Sequence, residues 1–309
     1  DDFHKGNTEF TKTLCKAIRE AKIKIPIVYA SSIQSDQNSP YGISKRSAEE
    51  ILFALNKDFQ NPVHIFRLTN VFGKWCKPNY NSVVATFCHN IAREIPVNID
   101  DANSIIELIY IDDVIKKFIN LMDGLAENII SNNFKKIEPS YKITVGELAK
   151  QLYLFKKIST SKMLEKVGSG LTRALYSTYI SYLPTKNFSY PISQSKDFRG
   201  SFTEILKTPN CGQFSYFTAL PGVTRGEHYH NSKTEKFLVV KGKAYFKFFH
   251  MDTKENYELN VNSDNPEIVE TVPGWCHSIK NIGEEELIVM IWANEIFDSA
   301  NPDTFSYQI

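Results

Sequence analysis

The feature that most constrains this chain is a change of hydrophobic period near residue 185. Upstream, helical stripes alternate with short continuous apolar runs. Residues 8–22 put Phe10, Leu14, Ile18 and Ala21 at helical spacing. Lys24–Ala30 then reads as a buried strand, and Ser39–Leu55 as a helix with Ala48, Ile51, Leu52 and Leu55 on one face. Val63–Leu68 is a second buried strand and Ser82–Ile95 a further helix. Apolar strands between helices imply an α/β layer with parallel strands covered on both faces. Residues 176–192, rich in Tyr, Ser and Pro, carry no helical stripe. Beyond them Phe214–Leu220, Glu235–Val240, Lys243–Phe249, Glu267–Val272 and Leu287–Trp292 are short strands between turn residues, the mark of an all-β sandwich or barrel. The expected architecture is α/β plus all-β, with domains at 1–188 and 189–309.

Charge and cysteine narrow the function. Lys+Arg is 36 and Asp+Glu is 35, so no bulk charge draws the chain to nucleic acid. A local basic pocket for a phosphate is still compatible with that balance. The five cysteines, Cys15, Cys76, Cys88, Cys211 and Cys276, are odd in number and form no C-x-x-C pair, which points to a reducing compartment. No apolar run approaches the ~20 residues that span a bilayer, and the first residues do not read as a signal peptide. The expectation is a cytoplasmic protein that engages neither membrane nor nucleic acid.

In the first half a strand ends in Ser31-Ser32, and Tyr41-x-x-x-Lys45 opens the next helix. The i, i+4 spacing puts Tyr41 and Lys45 on one helix face. An ammonium beside a phenol stabilises phenolate, so the phenol can exchange a proton with a carbonyl or alcohol oxygen. A serine hydroxyl at the strand end gives that oxygen a second hydrogen bond.

This segment resembles the extended short-chain dehydrogenase/reductases that act on nucleotide sugars. Further segments agree in order: Asp2–Asn7, Arg67-Leu68-Thr69-Asn70-Val71-Phe72-Gly73, and Tyr110-Ile111-Asp112-Asp113-Val114. The resemblance implies a Rossmann-type domain with Ser32, Tyr41 and Lys45 as catalytic triad, the adjacent Ser31 being the runner-up serine. It also implies Tyr41, Lys45, Arg67 and Asn70 as contacts of an NADPH cofactor, and Asn70 as a substrate contact. The family's glycine-rich turn is not among these residues, so the chain is expected to start inside the reductase domain.

The second half carries a stronger signal. Gly222-x5-His228-x-His230-x4-Glu235-x6-Gly242 and Gly274-x2-His277-x3-Asn281 match the two cupin motifs, with Pro273 displaced by one. Independently of the name, His228 and His230 are two apart and share one side of a strand. Glu235 and His277 come from elsewhere and can meet them. Three imidazoles and a carboxylate suit Zn²⁺, Fe²⁺ or Mn²⁺, with zinc as the expectation. Asp197–Glu204 and Arg225-Gly226-Glu227-His228 resemble segments of RmlC-type sugar-nucleotide epimerases. That resemblance makes His228 the base next to a 4-keto group, so one histidine is claimed both as ligand and as base. Arg199 and Arg225 become candidates for the substrate phosphates. Trp275, Trp292 and Tyr216 are aromatic candidates for stacking on substrate, with core packing the better account of each. The Lys74–Tyr80 loop, basic and aromatic, is open between substrate contact and plain solvation.

The combination is similar to a family of bifunctional capsular polysaccharide synthesis enzymes that fuse a reductase to a cupin. The resemblance implies C3 epimerisation of a UDP-4-keto-6-deoxy-2-acetamido sugar in the cupin, then NADPH-dependent C4 reduction, toward UDP-N-acetyl-L-fucosamine. It also implies a homodimer. Two competing readings stand beside it: a non-catalytic reductase scaffold carrying a metal- or sugar-binding cupin, and a cupin ketoisomerase or dioxygenase.

Overall fold

Pro26 has no N–H to give to a ladder, and the first strand opens just after it. The computed structural model, which describes residues 2–124, 134–188, 190–231 and 233–309, places β1 at Ile27–Ser32. The expected strand over Lys24–Ala30 is thus displaced toward the serines, and Ile23 and Ile25 remain exposed. β1 runs parallel to β2, Val63–Leu68, in register from Ile27↔Val63 to Ser32↔Leu68. Alternation along both strands sends Ile27, Tyr29, Val63 and Ile65 to one apolar cluster and Val28, Phe66 and Leu68 to another.

Helices α1, Phe10–Ala21, and α2, Pro40–Phe59, cover the first face with Cys15, Ile18, Leu52 and Leu55. The stripe expected on α1 is corrected: Phe10 is 63% and Leu14 39% exposed, and the buried positions are Thr11, Cys15 and Ile18. The helical turn that leads into α1, His4–Glu9, meets α2 through small polar groups that satisfy each other. Asn7 Nδ2 donates to Ser44 Oγ (3.0 Å) and Thr8 Oγ1 to the Ser44 carbonyl (3.2 Å). α2 starts sharply because Ser39 caps the Gly42 N–H at 3.0 Å and Pro40 fills the first helical position.

β3, Asn70–Phe72, pairs parallel with β4, Ile105–Tyr110, and β4 antiparallel with β5, Tyr141–Thr144. Between them α3, Val83–Ala92, is capped by Ser82, and α4, Ile111–Met122, packs Val114 with Phe66 and Ile109. Asp112 and Asp113 fall in the first turn of α4, where carboxylates complement the free N–H groups. Two more helices follow, α5 at Val145–Ser161 and α6 at Gly170–Ser181. α6 corrects the reading that residues 176–192 lack a helical stripe. Its buried face is Ala174, Leu175, Thr178 and Tyr179, and Thr178 Oγ1 returns its hydrogen to Ala174 O at 2.7 Å. Threonine and tyrosine built a stripe that a search for aliphatic residues passes over.

The chain divides into two compact units, Asp1–Leu152 with Arg173–Leu183 and Tyr153–Thr172 with Pro184–Ile309. Segment 153–172 sits with the second unit although it precedes residue 188. Main-chain bonds hold it there, Lys207 N to Lys162 O (2.8 Å) and Leu164 N to Lys207 O (2.7 Å).

The second unit is a double sheet. Its strands are β6 (Ser195–Asp197), β7 (Gly200–Thr208), β8 (Gly212–Ala219), β9 (Thr224–Tyr229), β10 (Glu235–Lys241) and β11 (Lys243–His250). They continue as β12 (Asn256–Asn262), β13 (Ile268–Glu270), β14 (Trp275–Asn281), β15 (Leu287–Ala293) and β16 (Phe305–Ser306). One sheet has the order β13-β10-β15-β8-β7-β6, the other β12-β11-β14-β9-β16, antiparallel throughout. Phe217, Phe237, Leu287 and Val289 from one sheet meet Phe246, Phe248 and Ile279 from the other in the core. This is the cupin jelly roll that the histidine spacing pointed to.

Candidate functional site

β9 and β14 lie side by side with His228 directly opposite His277, and their ring centroids are 4.5 Å apart. His230, one residue beyond β9, sets its ring edge-on to His228 at 4.9 Å and tilted to His277 at 5.5 Å. Glu235 opens β10 in the other sheet, its Oε2 3.4 Å from His230 Nε2 and 3.7 Å from His277 Nε2. One ligand atom from each of the four lies within 4.8 Å of all the others. A bulge makes this meeting geometric rather than accidental. The register slips between His277 and Ser278, opposite Gly226 at φ +90°. A Cβ on Gly226 would stand 2.8 Å from the His277 carbonyl, so glycine is required for β9 to approach.

The charges suit a cation. Burial pulls His277 down to about 3 and lowers His228 as well, so both imidazoles are neutral and their lone pairs available. Burial would raise Glu235, but His230 at 3.4 Å and the charge of Lys233 hold it at about 2. His230 Nε2 is buried without a hydrogen-bond partner, a costly state that a bound divalent cation relieves. The donor set and this orphaned nitrogen fit a divalent transition metal. Lys233, which no sequence motif marked, is 8% exposed with Nζ 3.0 Å from Glu235 Oε1.

His228, Lys233, Glu235 and His277 face a cavity of about 580 Å³ that Arg199, Arg225, Phe217 and Phe297 also line. Arg225 lies across the Phe217 ring at 5.0 Å and donates to the Thr218 carbonyl at 3.1 Å. Burial lowers its hold on the proton. Arg199 sits in the two-residue turn between β6 and β7, its guanidinium 2.6 Å from Asp197 Oδ2. That hydrogen bond keeps Asp197 at about 2. Trp275, Trp292 and Tyr216 do not line this cavity. Trp275 packs against the barrel core, Trp292 Nε1 donates to Cys211 O (2.8 Å), and Tyr216 Oη meets Gln194 (3.4 Å). Cys276 is buried beside His277 and donates to Tyr307 O at 3.1 Å.

In the first unit the adjacent serines part company. Ser31 is 3% exposed and gives its hydroxyl hydrogen to Glu49 Oε1 at 2.5 Å. Ser32 points the other way, half-buried, and caps the Gln34 N–H at 3.2 Å. Lys45 Nζ reaches back to the Ala30 carbonyl at 3.0 Å, over the rings of Tyr29 (5.0 Å) and Tyr41 (5.8 Å). Tyr41, Lys45 and the end of β1 are therefore brought together, and one of the three Lys45 donors is used within the fold. Arg67, across from Ser31 in the ladder, spends its donors on Glu49 and Asp36. Its guanidinium lies over Phe134. Glu49 escaped the sequence reading, although its place four residues after Lys45 on the same helix face was a usable signal. Asn70 is exposed, with Nδ2 on the Glu107 carbonyl (3.0 Å). In the Lys74–Tyr80 loop Trp75 and Tyr80 are 87% and 71% exposed, and Lys74 pairs with Asp112 at 3.2 Å. Among the described residues no helix is long and apolar enough to cross a membrane.

Comparison with known proteins agrees with both halves. The model of the NAD dependent epimerase/dehydratase family matches residues 1–132, and that of the polysaccharide biosynthesis C-terminal domain matches residues 195–305. A UDP-2-acetamido-2,6-beta-L-arabino-hexul-4-ose reductase of Pseudomonas aeruginosa is 55% identical over 309 residues, 100% of this chain and 82% of the relative. The crystal structure of the capsular polysaccharide assembling protein CapF of Staphylococcus aureus superposes with a TM-score of 0.90 at 40% identity, over 97% of this chain and 81% of that one. The chain belongs to the CapF family. Within it, the reductase-type unit and the cupin unit described above are the two expected parts. A Bacillus subtilis spore coat polysaccharide biosynthesis protein, SpsL, is 25% identical over 122 residues, 36% of this chain and 81% of the relative.

Proposed function

We propose that this CapF-family chain is a bifunctional UDP-sugar enzyme of surface polysaccharide precursor synthesis. It epimerises C3 of a UDP-4-keto-6-deoxy-2-acetamido sugar in the cupin unit and reduces the C4 ketone in the reductase unit, on the route to UDP-N-acetyl-L-fucosamine. The observation that carries the reading is the convergence of His228, His230, Glu235 and His277 on one point, at the wall of a cavity that Arg199 and Arg225 also line. Family membership supports the reductive half, since the Pseudomonas relative is named a reductase of such a sugar.

The C3–H of a 4-ketone is acidic because the enolate spreads its charge onto oxygen. His228, which alone of the four is not buried, completes the ligand set at rest and takes this proton when substrate is bound. Reprotonation on the other face inverts the centre. A divalent metal, zinc in this reading, supplies Lewis acidity toward a ketone. Arg225 and Arg199 hold the diphosphate. In the other unit NADPH supplies the hydride, Tyr41 gives the proton to the new hydroxyl, Lys45 stabilises the phenolate, and Ser32 orients the oxygen. Asn70 contacts cofactor and substrate. Arg67 belongs to the cofactor set by the same resemblance. Pairing into a homodimer belongs to the same reading and rests on the resemblance.

The test is solvent deuterium incorporation into the UDP-4-keto-6-deoxy-2-acetamido sugar, followed by mass spectrometry with and without NADPH. Wash-in without cofactor is expected from the metal-loaded protein, and net reduction when NADPH is added. Absence of wash-in from metal-replete protein would remove the epimerase half.

A further inference from the structure

The metal centre of the proposed function has an outer wall that neither cupin motif contains. Residues 303–307 form it. The Asp303 main-chain carbonyl accepts from His230 Nδ1 at 2.5 Å. The Asp303 carboxylate accepts the Asn231 N–H at 2.9 Å on one oxygen and the Lys233 N–H at 2.8 Å on the other. Both N–H groups belong to the turn that joins His230 to Glu235. Farther along, Ser306 stands opposite His228 in the β9–β16 pairing, and Tyr307 N donates to Glu227 O at 2.9 Å. The Tyr307 carbonyl accepts from Cys276 Sγ, the neighbour of His277.

Elementary chemistry gives this wall a consequence. A carbonyl oxygen has no proton to offer, so the hydrogen of the His230–Asp303 bond belongs to Nδ1. In the neutral imidazole Nε2 then presents its lone pair to the point where Glu235 and His277 meet, and Nε2 is the buried atom that lacks a hydrogen-bond partner. The carboxylate adds a length constraint, because two oxygens of one group fix two amides of a turn whose ends are both ligands.

We propose that Asp303 is a positioning residue for the metal centre: its main-chain carbonyl orients the His230 ring, and its carboxylate, the part a substitution removes, clamps the Asn231 and Lys233 amides so that His230 and Glu235 face one cation. The 303–307 strap steadies His228 and His277 in the same way. The inference rests on the metal reading given above. Loss of such an outer-shell partner typically costs about 10–100-fold in metal affinity. Linkage is reciprocal, so a bound cation must in turn tighten the strap.

The experiment titrates Zn²⁺ into the full chain and into Asp303→Ala, in competition with a chromogenic chelator. The variant keeps the main-chain carbonyl on His230 and loses only the carboxylate clamp, so it is expected to bind about tenfold more weakly, the low end of the outer-shell range, with the apo thermal midpoint close to wild type. A merely structural role would move that midpoint and leave the affinity of the folded protein alone. Asp303→Asn, which keeps one carbonyl acceptor, falls between. Equal affinity in wild type and Asp303→Ala overturns the inference and leaves the metal reading standing. A wild-type chain that binds none of Zn²⁺, Mn²⁺ or Fe²⁺ overturns both. Should Asp303→Ala fail to fold, hydrogen exchange on the wild type decides: the Asn231, Lys233 and Tyr307 amides slow when Zn²⁺ is added, and unchanged exchange overturns the proposal.

Discussion

Arg67 and Glu49 are joined by two parallel hydrogen bonds, Nε to Oε1 at 3.0 Å and an Nη to Oε2 at 2.7 Å, with the glutamate 2% exposed. Ser31 adds a third donor to the same carboxylate. One helix residue thereby ties the ends of β1 and β2, where Ser32 is set and where Lys45 reaches the Ala30 carbonyl. Removing one partner of such a pair leaves an uncompensated buried charge, at a cost of about 3–5 kcal/mol. Arg67→Met is expected to lose stability on this scale in urea unfolding of the first unit. If cofactor contact were its larger role, the variant would keep its stability and raise KM for NADPH instead.

Lys45 gives a pH prediction with two opposite signs. Burial lowers its pKa, and the Glu49 carboxylate partly offsets this; Tyr29 and Tyr41 are the other titratable groups against it. The reductase reaction needs the ammonium, so the rate falls as pH rises through the lowered value. Stability moves the other way. The unfolded chain, with an ordinary lysine, binds more protons in that window, so folding stability rises with pH between the lowered and the ordinary value. A pH series of NADPH turnover beside one of thermal midpoints checks both slopes, and parallel slopes would contradict the assignment.

Gly226→Ala tests the bulge. The residue holds φ +90°, and its new Cβ would meet the His277 carbonyl at 2.8 Å. Strain of this kind costs of order 1–3 kcal/mol. The variant is expected to unfold at lower temperature and to bind Zn²⁺ more weakly, because β9 can no longer hold His228 opposite His277. Calorimetry and chelator competition on the same sample read the two effects.

Metal addition is expected to stabilise the cupin unit. A ligand at 100 times its Kd adds about 2.7 kcal/mol, and Zn²⁺ should raise the midpoint of the cupin transition accordingly. His277→Ala removes a buried ligand-type imidazole and should abolish the Zn²⁺-dependent rise. A rise that survives this substitution would place the ion elsewhere.

The two cavity arginines should separate in kinetics. Arg225, half-buried over Phe217 and tied to Thr218, is pre-positioned. Arg225→Met should raise KM for wash-in about tenfold, the worth of one charge-assisted hydrogen bond, with kcat less affected. Arg199 is exposed on its turn beside Asp197, and such pairs add little to stability. Arg199→Ala should leave the thermal midpoint in place and raise KM alone.

Local pattern by itself determined the two architectures and the bounds of β2, and it singled out the four side chains that the fold gathers in one cluster. These depend on period, turn residues and short spacings, all within reach of a few consecutive positions. Tertiary structure decided the rest. Thr8 became buried because the Ser44 carbonyl of another helix accepts its hydroxyl; Thr11 and Thr178 satisfy theirs on the carbonyl four residues back and so could be turned inward by packing, and no count of apolar residues includes them. The two adjacent serines differ only because Glu49, 18 residues on, lies behind Ser31. Lys233 and Asp303 joined the candidate centre across 70 residues of chain, through hydrogen bonds to a turn. A contact of that kind depends on the closure of the barrel, which brings the last strand against β9, and no spacing along the chain encodes it.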